Sequence, residues 1–342
     1  MTGEASLYIH VPFCTKKCAY CHFYVIPNQM RFQKLYMEAL RREWEQKKSL
    51  LENYQLVSIY FGGGTPSLLG SDNISTILSW LPSASEVTLE ANPESMIAPS
   101  GINRLSVGIQ SFDDILLQKL GRTHTAKEAE EAIRTSPIEN ISIDLMYDLP
   151  NQSVAQWEST LERALALPIN HISLYNLTIE PHTSFYKRRH TLQLPSQDDS
   201  LQMLQTAINM CSSFERYELS AFAKPSYKSK HNMGYWTGRP FLGLGPSAFS
   251  YWDNARFRTT AHFNKWVRNP HTHDFHERLP QKERDAEMLA VGLRLIKGVE
   301  TELNVETLIA EGWLERKERR VCLTKKGQLF HDTVAERVMQ LS

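Results

Sequence analysis

Short strand-like runs alternate with helix-periodic segments through residues 1–215, and that order leaves few architectures open. Residues 7–11, 56–61, 86–91, 104–109, 141–146 and 171–177 read as strands. Residues 31–53, 72–81, 126–134, 154–167 and 197–214 carry helical spacing. In the first of these helices Leu35, Tyr36, Ala39, Leu40 and Trp44 fall on one side, and Ser71 or Asp72 suits the cap of the second. The pattern predicts an α/β fold with a parallel sheet, open or curled into a partial barrel. In such a barrel, polar residues at strand C-terminal ends face the active site. Here those are Gly62, Gly63, Gly64, Thr65, Glu90, Asn92, Gln110, Asp144 and Asn176.

Beyond residue 215 the pattern changes. Residues 216–280 form an extension rich in Tyr, Trp, Phe, Gly and Pro. Residues 281–342 read as a smaller C-terminal helical unit with a winged-helix-like ending. Its basic residues Arg316, Lys317, Arg319, Arg320, Lys325 and Lys326 are offset by Glu315 and Glu318, which reads as a solvated wing. Over the chain, 38 Lys and Arg balance 38 Asp and Glu, against a protein that coats nucleic acid by bulk charge. No apolar run reaches the ~18 residues of a membrane span. Residues 1–6 lack the basic and apolar regions of a signal peptide, so the expected location is the cytosol.

Five cysteines in 342 residues are too few for a disulfide scaffold. Three of them, Cys14, Cys18 and Cys21, form a C-x3-C-x2-C loop directly after the first strand. Three thiolates on one loop can each ligate one iron of a 4Fe–4S cluster. The fourth iron is then open to the amino and carboxylate groups of S-adenosylmethionine (SAM). The spacing alone leaves two alternatives: a Cys3His zinc site using His22 or His10, and a redox dithiol that leaves Cys14 unexplained. Cys211 and Cys322 read as buried apolar thiols. Gly63 and Gly64 let a ligand approach the backbone, and their pattern is neither a Walker nor a Rossmann motif. His271, His273 and His276 read as an exposed polar loop.

The segment Tyr8-Ile-His-Val-Pro-Phe-Cys14 with its following cysteines resembles the radical SAM superfamily. Within it, the resemblance is to the branch of oxygen-independent coproporphyrinogen III oxidase and the haem chaperone HemW family. It continues through Phe61-Gly-Gly-Gly-Thr-Pro-Ser67, Glu90-Ala-Asn-Pro93, Leu120-Gly-Arg122, His231-Asn-Met-Gly-Tyr-Trp236 and Leu242-Gly-Leu-Gly-Pro-Ser-Ala248. The resemblance implies a partial (β/α)6 TIM-like barrel and a 4Fe–4S cluster on Cys14, Cys18 and Cys21. It implies a SAM site lined by Tyr8, Tyr20, Gly63, Gly64, Thr65, Glu90, Gln110, Arg122 and Asp144. It implies haem as cargo, carried on an aromatic loop by His231, Tyr235 and Trp236, for haem-accepting respiratory proteins, with peripheral membrane contact.

Two departures separate the branch's members. Phe23 stands where the oxidase carries a fourth cysteine, and only seven residues precede Tyr8. Both favour the chaperone over the oxidase, a radical SAM decarboxylase. A zinc-stabilised DNA-binding protein is a further alternative. Phe249 stands where relatives carry His, and Asp148 where they carry Gly.

Overall fold

The computed structural model describes residues 3–341. Met1, Thr2 and Ser342, which fall in the N-terminal stretch and the final unit discussed above, lie outside the described residues. The chain opens with β1 (Gly3–Val11), the short pair β2 (Phe13–Cys14) and β3 (Ile26–Pro27), and β4 (Tyr54–Gly63). Then come β5 (Glu86–Ala91), β6 (Arg104–Gln110), β7 (Ile141–Tyr147), β8 (His171–Asn176), β9 (Glu215–Arg216) and β10 (Ala221–Ala223). The last strands are β11 (Phe241–Leu244), β12 (Phe249–Trp252), β13 (Ala255–Thr259), β14 (His273–Arg278), β15 (Val299–Glu300), β16 (Leu314–Lys317) and β17 (Arg320–Leu323).

A 12-stranded sheet runs β14-β13-β12-β11-β1-β4-β5-β6-β7-β8-β10-β9. From β11 to β8 every pairing is parallel. The flanking strands on both sides are antiparallel, so the barrel is partial and open. Helices α1 (Gln33–Lys47), α2 (Ser71–Leu78), α3 (Asp114–Leu120), α4 (Ala126–Arg134), α5 (Val154–Leu165), α6 (Ser184–Lys187) and α7 (Gln197–Met210) accompany the parallel strands. Strand alternation sorts the two faces of the sheet. Leu7, Ile9, Ile59, Phe61, Leu89, Val107, Ile143 and Leu145 are buried in the main core. Their alternates Tyr8, Ser58, Tyr60, Glu90, Ser106, Asp144, Ser173 and Tyr175 lie on the other face, the inside of the curl.

The aromatic-rich stretch is not set apart from this sheet. It supplies β11 to β14, and Leu242, Leu244, Phe263 and Trp266 join the main core. It also holds α8 (Lys230–Trp236) and α9 (Phe263–Arg268). The C-terminal unit has α10 (Gln281–Gly292), α11 (Glu306–Ala310), α12 (Lys325–Leu329), α13 (His331–Met339) and a three-stranded sheet. Its core of Ala286, Leu289, Leu293, Val305, Leu308, Val334 and Val338 is separate. Among the described residues no helix is long and apolar enough to cross a membrane.

Some local readings change. No α-helix joins β5 to β6; the Asn92-capped 3-10 turn Pro93–Ser95 takes its place. Conversely, α3 forms over only 7 residues because Asp113 caps its first amides and Gly121 closes its end in the left-handed region. The cap of α2 is Gly70, not Ser71 or Asp72. Residues 273–278 are an edge strand rather than a loop, with the rings of His273 and His276 against Phe257.

Leu35 is 42% exposed, whereas Tyr36, Ala39, Leu40 and Trp44 are buried as expected. The buried face of α1 continues instead through Glu43 and Lys47. Glu43 is fully buried and accepts from Lys47 Nζ at 2.7 Å, Gly245 N at 2.8 Å, Trp266 Nε1 at 3.0 Å and Thr259 Oγ1 at 3.3 Å. Lys47 also donates to the Gly243 carbonyl at 2.9 Å. One carboxylate thus ties α1 and α9 to β13 and the end of β11. Removing one partner of a buried pair leaves the other charge uncompensated, at a cost of ~3–5 kcal/mol. Glu43→Gln is therefore expected to lower the unfolding free energy measured by urea denaturation by that order; an unchanged value contradicts the role given to this carboxylate.

Candidate functional site

The C-terminal ends of the parallel strands open into a cavity of about 390 Å³. Its walls carry Cys14, Cys18 and Cys21 together with Tyr20, Gly63, Gly64, Thr65, Glu90, Gln110, Arg122 and Asp144. The sequence-predicted cluster ligands and all but one of the predicted SAM residues therefore meet at one place. Tyr8 is the exception. It sits deeper inside the curl, with its hydroxyl 3.1 Å from His10 Nδ1 and its ring stacked on Tyr60.

Backbone hydrogen bonds clamp the cysteine loop across the strand ends. Thr65 N donates to Phe13 O at 2.7 Å, Asn28 N to Cys14 O at 2.8 Å, and Ala19 N to Leu120 O at 3.1 Å. Phe185 N donates to Ala19 O at 2.9 Å, so α6 closes the outer side. A polar arc then links two of the thiols. Cys14 Sγ lies 3.5 Å from Thr65 Oγ1, and Asn92 Nδ2 donates to that hydroxyl at 3.4 Å. Arg122 donates to Asn92 Oδ1 at 2.7 Å and to the Gly108 carbonyl, and its other amine reaches Cys18 Sγ at 3.8 Å. Burial pushes the Cys14 thiol up to about 11 and also raises Cys21.

The glycines have specific reasons. A Cβ on Gly64 would stand 2.5 Å from the Phe13 carbonyl oxygen. Gly63 has φ +112, and a Cβ there would meet the His10 ring at 2.6 Å. Gln110 adopts φ 72 next to a register shift between Gly108 and Gln110. Such an irregularity beside a cavity re-aims a side chain. Asp148 also takes a left-handed φ of 61, the conformation a glycine adopts freely. It compensates by accepting from Asn176, on the cavity wall, and from Ser200.

Two carboxyls face the inside. Tyr60 donates to Glu90 Oε1 at 2.8 Å and Gly63 N to Oε2 at 3.2 Å. Burial, with Asp144 nearby, nonetheless lifts the Glu90 carboxyl up to about 7. Ser106 donates to Asp144 Oδ2 at 3.3 Å, and burial lifts this carboxyl to about 6. Asp144 Oδ1 is buried without a partner. An orphaned acceptor, a glycine cradle and three thiols on one wall fit a polar ligand beside a metal cluster. Sequence reasoning did not find Tyr60 or Tyr175; the alternation Ser58, Tyr60, Gly62 along β4 is the signal that places Tyr60 inside.

The predicted haem residues lie elsewhere. His231 and Tyr235 belong to α8, a helix rather than an open loop, at the N-terminal end of the barrel strands. Glu86, the first residue of β5, accepts the amides of Lys230 and His231 at 2.9 Å each, and Ser229 caps the helix. His231 is 1% exposed, with Nδ1 2.9 Å from Ser58 Oγ and Nε2 2.9 Å from Tyr235 OH. Burial pushes its pKa down to about 3, so the ring is neutral. Trp236 packs under the Arg294 guanidinium, 4.6 Å from the ring centroid. Both imidazole nitrogens of His231 are thus hydrogen-bonded within the protein. Cys211 and Cys322 are buried, as expected.

An open parallel barrel with three thiols at its strand ends is the architecture of the radical SAM class, and the model of the Radical SAM superfamily matches residues 8–164. The heme chaperone HemW of Buchnera aphidicola subsp. Schizaphis graminum is 33% identical over 95% of this chain and 96% of its own length. That of Bacillus subtilis is 32% identical over 96% and 97% of the two chains. The chain belongs to this HemW family of radical SAM proteins. Its fold is similar to that of coproporphyrinogen III oxidase (HemN) from Escherichia coli, with TM-score 0.83 and 20% identity over 98% of this chain and 90% of that one.

Because backbone atoms, not a pliable side chain, oppose Gly64, Gly64→Ala is expected to cost ~1–3 kcal/mol through overpacking. Chemical denaturation measures this; an unaltered stability contradicts the tight seating of the cysteine loop.

Proposed function

We propose that this protein is a haem chaperone on a radical SAM scaffold. Cys14, Cys18 and Cys21 hold a 4Fe–4S cluster, SAM occupies the adjoining cavity, and haem is the cargo. The observation that carries the reading is the meeting of three thiols with Gly63, Gly64, Glu90, Gln110, Arg122 and Asp144 on the wall of one cavity. When bound, the cluster supplies an open iron for the methionyl amino and carboxylate groups and a source of one electron.

The chain's own residues do the rest. Arg122 sets a fixed positive charge beside Cys18 and suits a carboxylate. Glu90 keeps acceptor capacity beyond its bonds from Tyr60 and Gly63, which suits a ribose diol. Asp144 offers its unpaired oxygen to a further donor of the same ligand. The bare edges of Gly63 and Gly64 admit the methionyl end.

Support for haem as cargo comes from the family's named relatives, and support against the oxidase comes from Phe23. That side chain is 54% exposed at the cavity edge and supplies no fourth thiolate. The haem acceptors are respiratory haemoproteins, and the chaperone works from the cytosol with peripheral membrane contact.

Oxygen-free reconstitution with iron, sulfide and haem tests the reading. It predicts about four irons and four sulfides per chain, loss of both on Cys14→Ala, Cys18→Ala or Cys21→Ala, and a shifted Soret band for added haem. Zinc without sulfide contradicts the cluster. Turnover of coproporphyrinogen coupled to cofactor cleavage supports the oxidase instead.

A further inference from the structure

The helix α8 closes the floor of the barrel, and its histidine touches the machinery above it. Tyr60 is the connection. Tyr8, Tyr60 and His231 form a three-ring cluster: the Tyr60 ring lies 6.2 Å and 22° between planes from Tyr8 and 4.7 Å and 27° from His231, and Tyr8 lies 6.3 Å from His231. The Tyr60 hydroxyl, at the far end, donates to Glu90. His231 is itself fixed from three sides, by Ser58, Tyr235 and the Glu86 carboxylate on its amide. Ser58 and Tyr60 are two residues apart on β4 and so point to the same face. The floor thus packs the His231 imidazole against the ring whose hydroxyl donates to the carboxylate.

We propose that His231 is a positioning residue of the SAM cavity, acting through Tyr60 on the Glu90 carboxylate. The proposal rests on the reading that this cavity takes SAM. It assigns to the motif histidine a role other than iron ligation. An imidazole 1% exposed, with both nitrogens hydrogen-bonded, has no lone pair to offer an iron without leaving Ser58 or Tyr235. Its neutral ring instead packs against Tyr60 without adding charge beneath Glu90. Apart from Tyr60 and the Gly63 amide, Glu90 faces Asp144 across the cavity and the phenols of Tyr8, Tyr175 and Tyr235. Of these partners only Tyr60 and Gly63 donate to the ionised carboxylate.

Two readouts test the proposal. The first is SAM affinity of the reconstituted protein. Tyr60→Phe and His231→Ala are each expected to weaken it roughly tenfold, the size of one lost hydrogen bond to a charged group. The double variant is expected to be no weaker than either single, because both remove one connection. The second is the protonation midpoint of Glu90, followed by difference infrared spectroscopy before cluster loading and assigned with Glu90→Gln. Losing a donor to the ionised form raises it, by about one pH unit. Tyr235→Phe, a milder change that frees one side of His231, moves both readouts the same way by less, and it serves if His231→Ala does not fold.

Additive losses in the double variant overturn the proposal. So does a His231→Ala protein with wild-type SAM affinity and an unmoved Glu90 midpoint, above all if haem no longer shifts its Soret band. Failure of the wild-type holoprotein to bind SAM overturns both this proposal and the function on which it rests, and is recognised before any variant is made.

Discussion

Everything in the site depends on how the cysteine loop is held over the strand ends. Its thiols are partly buried, and burial holds the protons on Cys14 and Cys21. The proposed function has a metal cluster take the protons' place. The loop is already folded before that happens. Backbone bonds from Thr65, Asn28 and Ala19 fix its course, and the arc Cys14–Thr65–Asn92–Arg122–Cys18 links two of the thiols.

The second constraint is the polarity of the barrel's inner face. In a closed barrel of this kind branched apolar side chains fill the interior. Here the inner positions carry Ser58, Tyr60, Glu90, Ser106, Asp144, Ser173 and Tyr175, and two buried carboxyls result. Burying such groups is costly unless they are hydrogen-bonded. Glu90 is satisfied by Tyr60 and Gly63, while Asp144 keeps one oxygen unpaired. The stability for this comes from the outer layer, where the helix-facing alternates of the same strands form the main core. Glu43, beneath the β11 edge, holds the antiparallel extension to that core.

The sequence made much of this legible, for identifiable reasons. Strands β1 and β4 to β8 and helices such as α4 (Ala126–Arg134) announce themselves because each has one apolar face, and the site residues fall where strand ends must fall. What was hidden depended on tertiary context. The buried side of α1 includes a Glu–Lys pair, which periodicity counts as solvent-facing. The motif helix α8 read as an aromatic loop, either carrying haem or packed with His231 hydrogen-bonded internally, since its seven residues are too few to show a period. Its burial is decided by Glu86 and Ser58, far away in sequence. Tyr60 was overlooked because its role follows from the ring beneath it and the carboxylate above it, neither of them its neighbour in the chain.

The proposed function requires one iron without a protein ligand, next to the cavity at the strand ends. Electron–nuclear double resonance on the reduced, reconstituted protein, with SAM labelled at its amino nitrogen and carboxylate, addresses that iron directly. The account predicts hyperfine coupling of the cluster to both labels, absent without SAM. A cluster spectrum identical with and without the labelled ligand contradicts it.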